Sequence, residues 1–316
     1  MGIEQELAKL SPPQETLLAV GVFDGVHMGH RHLLEILNRR AREENLLSGV
    51  VTFDSHPQLV LQSHSQLPSL GKLEERVKKL RGLGITLIAV LSFTPELASL
   101  SAREFVGLLK KHLKMHGLII GPDFALGKGR EGGSEVLSLL GREMGFDVEV
   151  VLPFILDDEI VSSTRIRQSL TQGDMAKVAK LMGHNFYLSG QVIPATKCGR
   201  KLGFPTANLA INPEQALPSN GVYATIASIG KNELSSVTSI GVRPTFGQNE
   251  KTVETYLFNY EGDLYAQELK VEFIRKLRDE QRFDSPEELK AQIQKDVEAA
   301  LKLFTDHDIV LSRAGN

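Results

Sequence analysis

The sequence has one cysteine, Cys198, in 316 residues. A single thiol forms no intramolecular disulfide, and a cysteine-rich zinc site is excluded with it. Long apolar runs are missing too. The longest, residues 85–93, contains two hydroxyl residues and falls far short of the ~20 residues that span a bilayer. There is no basic excess. Lys and Arg number 36 against 39 Asp and Glu, a net charge of −3, which argues against a dedicated nucleic-acid binder. The first residues, MGIEQELAKLSPPQ, carry acids and prolines where a signal peptide carries a basic patch and an apolar core. The expectation is a soluble cytoplasmic protein with no membrane partner; the oligomeric state is left open. What is present is ordinary globular composition, 41% apolar and 24% charged. At roughly 150 residues per domain, the length implies about two domains.

The two halves differ in texture. In the first, strand-like runs at 16–22, 49–53, 85–93, 118–120 and 146–154 alternate with helical patterns at 29–45, 72–83, 102–114 and 134–144. This alternation predicts a parallel sheet with helices on both faces. Helical stretches at 163–170 and 175–182 follow. Beyond Gly183, strand-like runs at 186–193, 221–229, 234–241, 253–259 and 269–274 succeed one another without helices, which predicts an antiparallel barrel. A last helix opens at Ser285-Pro286-Glu287-Glu288, combining an N-cap, a first-turn proline and a capping-box acid. Its apolar stripe is Leu289, Ile293, Val297 and Leu301. The boundary falls near 183–187, giving domains 1–183 and 184–316.

The first strand runs into GVFDGVHMGH, residues 21–30. Gly21, Gly25 and Gly29 permit a tight turn and close approach of a ligand to the backbone. A helix begins at once, so its free N–H groups and positive end face the sheet edge. His27 and His30 can donate hydrogen bonds to phosphoryl oxygens as charge builds during displacement. Two further segments follow strands: the glycine-rich loop GPDFALGKGREGG at 121–133, and VSSTRIR at 161–167. In the latter a serine can cap the next helix, and Arg165 or Arg167 can clamp a triphosphate. Each alone also reads as a flexible loop or a capped surface helix. Together they converge on the edge of a doubly wound sheet where nucleotides bind.

In the second half, GRKLGFPTANL at 199–209 shapes a turn with Gly203 and Pro205 and supplies Thr206 and Asn208 two residues apart. In extended backbone they face one way, and such neutral oxygens suit Mg²⁺ held mainly by nucleotide phosphates. Glu254 lies in VETYLFN, residues 253–259, an otherwise apolar and aromatic strand. A carboxylate is costly there unless paired or functional. It can serve as general base for a substrate hydroxyl, or it can be a salt-bridged strand residue.

From 16 to 182, with GVFDGVHMGH, GPDFALG and VSSTRIR in order, the chain resembles the adenylyltransferase half of prokaryotic bifunctional riboflavin kinase/FMN adenylyltransferases. From 186 to 300, with GRKLGFPTANL, NGVYA, SIGVRPTFG, VETYLFN and the 264–296 segment in order, it resembles the riboflavin kinase module. The resemblance implies a Rossmann-like nucleotidyltransferase domain followed by a six-stranded barrel with a C-terminal helix. It implies ATP, riboflavin, FMN and FAD as small-molecule partners and Mg²⁺ as the cofactor. It also implies roles. Gly21, Phe23, Asp24, Gly25, His27, Gly29, His30, Ser163, Thr164 and Arg167 would bind ATP for adenylyl transfer. His27 and His30 would also stabilise the transition state. Phe53, His56, Pro57, Asp123 and Phe124 would line the flavin or nucleotide site. In the kinase, Gly203, Pro205, Thr206 and Asn208 would bind ATP, with Thr206 and Asn208 toward the metal. Glu254 would activate the ribityl 5′-hydroxyl, and Arg278 and Phe283 would lie near the flavin. The chain departs from the family pattern at Val22, Ser55 and Pro194-Ala195, the last where a phosphate-covering segment usually has glycine. Two other readings stay open: a synthetase-like aminoacylating protein sharing His-x-Gly-His, and a flavin-binding regulator with a silent kinase half.

Overall fold

The computed structural model describes residues 2–61, 67–194, 202–245 and 248–306. Ala195 and the 199–201 and 246–247 portions of the kinase motifs lie outside the described residues. By contacts the chain divides into two compact units, Met1–Ser163 and Thr164–Asn316.

In the first unit, β1 (Thr16–Val20), β2 (Leu47–Phe53), β3 (Leu87–Leu91), β4 (Met115–Ile120) and β5 (Asp147–Val150) form one sheet in the order β3-β2-β1-β4-β5. Every pairing is parallel. The helices are α1 (Ile3–Ala8), α2 (Met28–Glu43), α3 (Pro57–Leu61), α4 (Leu73–Gly82), α5 (Pro95–Ser99), α6 (Ala102–Leu113) and α7 (Ser134–Met144). Alternation along β1 sends Leu17 and Ala19 to a core with Leu34 and Leu37 of α2 and Leu80 of α4. Leu18 and Val20 enter a second core with Phe105 and Leu109 of α6 and Leu137 of α7. The sheet is therefore covered on both faces, as expected. Strand order reverses between β1 and β4, the kind of switch point where ligands bind at the carboxyl ends of strands.

The expected fifth strand is shorter than the 146–154 run. Pro153 has no N–H to continue a ladder, and β6 (Ile155–Leu156) and β7 (Glu159–Ile160) form a separate hairpin. Asp157 and Asp158 turn it at φ +49° and +60°, the signs a type I′ turn requires. VSSTRIR thus follows a hairpin rather than the fifth strand itself.

In the second unit, α8 (Ser163–Gln172) and α9 (Met175–Met182) precede β8 (Tyr187–Ile193), β9 (Thr206–Leu209), β10 (Gly221–Ile229), β11 (Asn232–Thr245), β12 (Gln248–Leu257) and β13 (Glu268–Arg278). The strands close into a barrel in the order β10-β11-β12-β9-β8-β13, all antiparallel. The segment 206–209, where Thr206 and Asn208 were expected in extended backbone after the Gly203-Pro205 turn, is a strand. The α8–α9 turn is tied to the barrel: Ser219 N–H donates to Leu170 O at 2.9 Å, and Lys276 Nζ donates to Ser219 Oγ at 2.9 Å. Gly173, at φ +74°, leaves no room there, since a Cβ would sit 2.7 Å from Lys276 Cδ.

The C-terminal helix, Pro286–Asp306, is capped as expected by Ser285 Oγ, which accepts from Glu288 N–H at 3.2 Å. The capping box is incomplete, because Glu288 reaches the N–H of Asp284 instead. The buried face also differs from the expected stripe. It carries Asp296, Ala300, Leu303 and Phe304, while Leu301 is exposed. A strict four-residue spacing drifts about 40° per step around a 3.6-residue helix, so its last member has rotated out.

Candidate active sites

The first candidate site is the turn after β1. Phe23 and Val26 lie in the left-handed region, at φ +52° and +48°, with Gly25 at +75°. A β-branched residue there is a backbone outlier, and such strain collects where a structure over-determines a functional turn. His27 caps α2: its Nδ1 accepts from His30 N–H at 3.3 Å. That bond puts the proton of the neutral ring on Nε2, leaving Nε2–H as the donor. Gly29 is needed for close approach, since a Cβ would meet Val161 O at 2.9 Å and the His27 ring at 3.2 Å. His27 is buried, and its ring stacks on His30 with centroids 3.7 Å apart. His30 is half-buried as a residue, but its Nδ1 is inaccessible and has no hydrogen-bond partner. Burial pushes its pKa well below the usual histidine range, and the positive charge of Arg76, and of His27 whenever that ring is protonated, adds to this.

Arg76, which the sequence reading missed, is buried and donates to Thr52 Oγ1 at 3.2 Å and Phe53 O at 2.8 Å. Thr52 Oγ1 in turn donates to Val22 O at 3.0 Å. This relay braces the turn after β1 from β2 and α4. Asp24 is buried and accepts from Leu70 N–H at 2.9 Å and Ser69 Oγ at 3.1 Å, so its carboxylate anchors a neighbouring loop. Ser163 Oγ donates to Asp24 O at 3.4 Å. Thr164 and Arg167 follow on α8, within the second unit.

The expected flavin residues are in varied settings. Phe53 is buried at the end of β2, edge-on to Phe93 with centroids 5.2 Å apart. His56 Nδ1 accepts from Gln58 N–H at 3.2 Å, ahead of α3, which Pro57 opens. Asp123 is exposed, its carbonyl accepting from Arg130 at 2.9 Å, while Phe124 packs on the core.

The second candidate site is a row across five barrel strands. Arg278 pairs with Val222, Val222 with Ser239, Ser239 with Glu254, and Glu254 with Asn208. Directly paired residues project to the same face, so this register sets Arg278, Ser239, Glu254 and Asn208 on one surface. Thr206 Oγ1 donates to Glu254 Oε2 at 3.3 Å. A cavity of about 590 Å³ opens over the Arg278–Val222–Ser239 end of the row, lined also by Phe283 and Leu289 among others. That volume lies within the roughly 300–1,000 Å³ of small-molecule sites. Gly203, at φ +91°, is exposed together with Pro205 ahead of β9.

Two family models match in tandem: FAD synthetase over residues 9–165 and riboflavin kinase over 182–304. The bifunctional riboflavin kinase/FMN adenylyltransferase of Escherichia coli strain K12 is 37% identical over 296 residues, covering 93% of this chain and 94% of its own. The chain belongs to the bifunctional riboflavin kinase/FMN adenylyltransferase family. The Bacillus subtilis strain 168 member is 32% identical over 310 residues, covering 96% of this chain and 95% of its own. A crystal structure named as a macrolide-efflux protein from Streptococcus pneumoniae superposes with a TM-score of 0.86 at 29% identity, covering 93% of this chain and 96% of that one. Among the described residues, no helix is long and apolar enough to cross a membrane. Beside these two sites, the residues that sequence reasoning did not single out are Arg76, Thr52, Ser239 and Asp296. Only Asp296 carried a signal, an acid falling on the apolar side of a helix.

Proposed function

We propose that the protein phosphorylates riboflavin to FMN in its second half, 184–316, and adenylylates FMN to FAD in its first, 1–183. Kinase and adenylyltransferase alike take ATP as substrate. In the kinase, Glu254 takes the proton of the ribityl 5′-hydroxyl as that oxygen bonds to the γ-phosphorus of ATP; the bond to the β,γ-bridging oxygen breaks and ADP leaves. The observation that carries this reading is the row Arg278–Val222–Ser239–Glu254–Asn208, with a cavity over its Arg278, Val222 and Ser239 end. A flavin lying along it puts its ring by Arg278 and Phe283 and its hydroxyl chain by Ser239, with the terminal hydroxyl at Glu254. ATP lies on the Thr206 and Asn208 side, with Gly203 and Pro205 beside it.

In the adenylyltransferase, an FMN phosphate oxygen attacks the α-phosphorus of ATP and pyrophosphate departs, with no covalent enzyme intermediate. His27 and His30, at the N-terminus of α2, hold the phosphates and stabilise developing charge. Gly21, Phe23, Gly25 and Gly29 form the turn that admits them, and Asp24 keeps its backbone in place. Ser163, Thr164 and Arg167 bind the triphosphate, while Phe53, His56, Pro57, Asp123 and Phe124 receive the flavin or nucleotide.

Mg²⁺ fits the two kinase donors Thr206 and Asn208, which can each offer a neutral oxygen. Among the described residues, no cluster of three or more His, Cys, Asp or Glu could hold a metal by itself, so nucleotide phosphates would be its main ligands. Bound there, it would neutralise phosphate charge. The proposed setting is cytoplasmic.

The experiment is one chromatographic assay of riboflavin with Mg·ATP. FMN appears first and FAD follows. Flavin bound without turnover would replace this reading by that of a flavin-binding regulator.

A further inference from the structure

Arg278 ends β13 with every edge of its guanidinium engaged. Nε donates to Asp296 Oδ1 at 2.9 Å and NH2 to Asp296 Oδ2 at 2.8 Å. NH1 donates to the carbonyl of Asp279 at 3.0 Å. The planar group lies 5.7 Å from the Phe283 ring centroid. Asp296, on the C-terminal helix, is only 4% exposed and also accepts from Gln292 Nε2 at 2.9 Å.

Docking the helix does not require this ion pair. Ala300, Leu303 and Phe304 already pack with Val222, Ala224 and Ile226 of β10. Replacing a buried pair by apolar residues is often neutral or stabilising, so stability gives a weak reason for a carboxylate on this face. The cavity gives a stronger one. Arg278 and Phe283 form one wall of it, and a guanidinium held at its edges has only its face left for a ligand. Such a face stacks on a flat aromatic ring.

We infer that Asp296 is a positioning residue for riboflavin phosphorylation: it locks Arg278 in the rotamer whose planar face, beside Phe283, receives the isoalloxazine ring. This rests on assigning the cavity to riboflavin. Asp296 touches no substrate, and its effect reaches the reaction only through Arg278.

The test uses the full-length enzyme, with FMN adenylylation as the internal control for folding. Asp296→Asn keeps the shape and loses the charge that holds the fork. It should raise the KM for riboflavin by about tenfold or more, since truncating one partner of a buried pair is costly. The kcat and the KM for ATP should stay within about threefold, the pattern of lost substrate binding. Arg278→Lys should do the same, and the double variant should be no worse than the worse single, because both remove one interaction. An unchanged riboflavin KM with a lowered Tm would reduce Asp296 to a structural role. Additive effects would also overturn the inference. If Asp296→Asn fails to fold, Asp296→Glu retains the charge but shifts the carboxylate; a normal riboflavin KM in that variant refutes positioning. Phe283→Ala separates the two levels. If it leaves the riboflavin KM untouched, the cavity assignment fails. If it raises that KM and the Asp296 variants do not, only the positioning role fails.

Discussion

The imidazoles of His27 and His30 stack with centroids 3.7 Å apart and planes 17° from parallel. Two imidazolium ions could not share that separation without strong repulsion. Burial resolves the conflict by holding His30 neutral, with His27 and Arg76 reinforcing it. On the proposed reading, the pair would meet phosphate as hydrogen-bond donors rather than as two cations. Of the groups around it, Asp24 and Asp54 offset the charge of Arg76, which itself faces His30.

The first prediction concerns pH. The folded pKa of His30 lies below its unfolded value of about 6.5, so the unfolded chain binds a proton first. Stability from this group is present above about pH 6.5 and is lost as pH falls toward the folded pKa. His30→Asn cannot titrate. Between pH 7.5 and 5.5, the wild-type Tm should fall more steeply than that of the variant. Parallel Tm curves would mean that His30 is not a buried neutral histidine.

The second prediction separates the two halves. The His27→Ala/His30→Ala double variant should still convert riboflavin to FMN but accumulate almost no FAD. Loss of one preorganised donor typically costs about 10²–10³ in rate. Undiminished FAD synthesis would remove both residues from the mechanism.

Much of this was legible in the chain because periodicity of two and of 3.6 residues survives burial. The strands and long helices, including Ser134–Met144 and Gly221–Ile229, lie where their apolar patterns put them. Short helices such as α1, α3 and α5 were not legible, since five or six residues complete too little of a repeat. Thr206 and Asn208 were read in extended backbone after the Gly203-Pro205 turn, but four residues are too few to mark a strand until barrel closure supplies their partners. Register is the larger gap. Thr206, Asn208 and Glu254 were singled out from sequence, but only pairing across the barrel brings Ser239 beside Glu254. Arg76 sits in KLEERVKKLR, a run that reads as a solvated face, so its burial leaves no trace in the pattern.

The third prediction follows from that register. Ser239 is exposed on the row between Val222 and Glu254 and lines the cavity. Ser239→Leu places a branched side chain in the path from the ring site to the base, without touching the barrel interior. Riboflavin phosphorylation should drop at least about tenfold in kcat/KM, the scale of a steric misfit in a binding pocket. FMN supplied directly should become FAD at the normal rate. A kinase indifferent to this change would place the flavin elsewhere.

The last prediction tests the base. Glu254 is half-buried on β12, opposite Asn208 and Ser239, and accepts a hydrogen bond from Thr206 Oγ1. Glu254→Gln preserves side-chain volume and can keep the Thr206 contact through its amide oxygen, but it cannot take a proton at neutral pH. If proton removal contributes, kcat for riboflavin phosphorylation should fall by about 10²–10⁴. The KM for riboflavin should change little, because the group acts in the transition state rather than in binding. The structural alternative, a carboxylate that merely pairs strands, makes the opposite forecast: a lowered Tm with kcat retained. FAD formation from supplied FMN distinguishes a local effect from a global one. If both activities fall together, the two halves are coupled through this strand and the assignment of a base confined to the barrel is wrong.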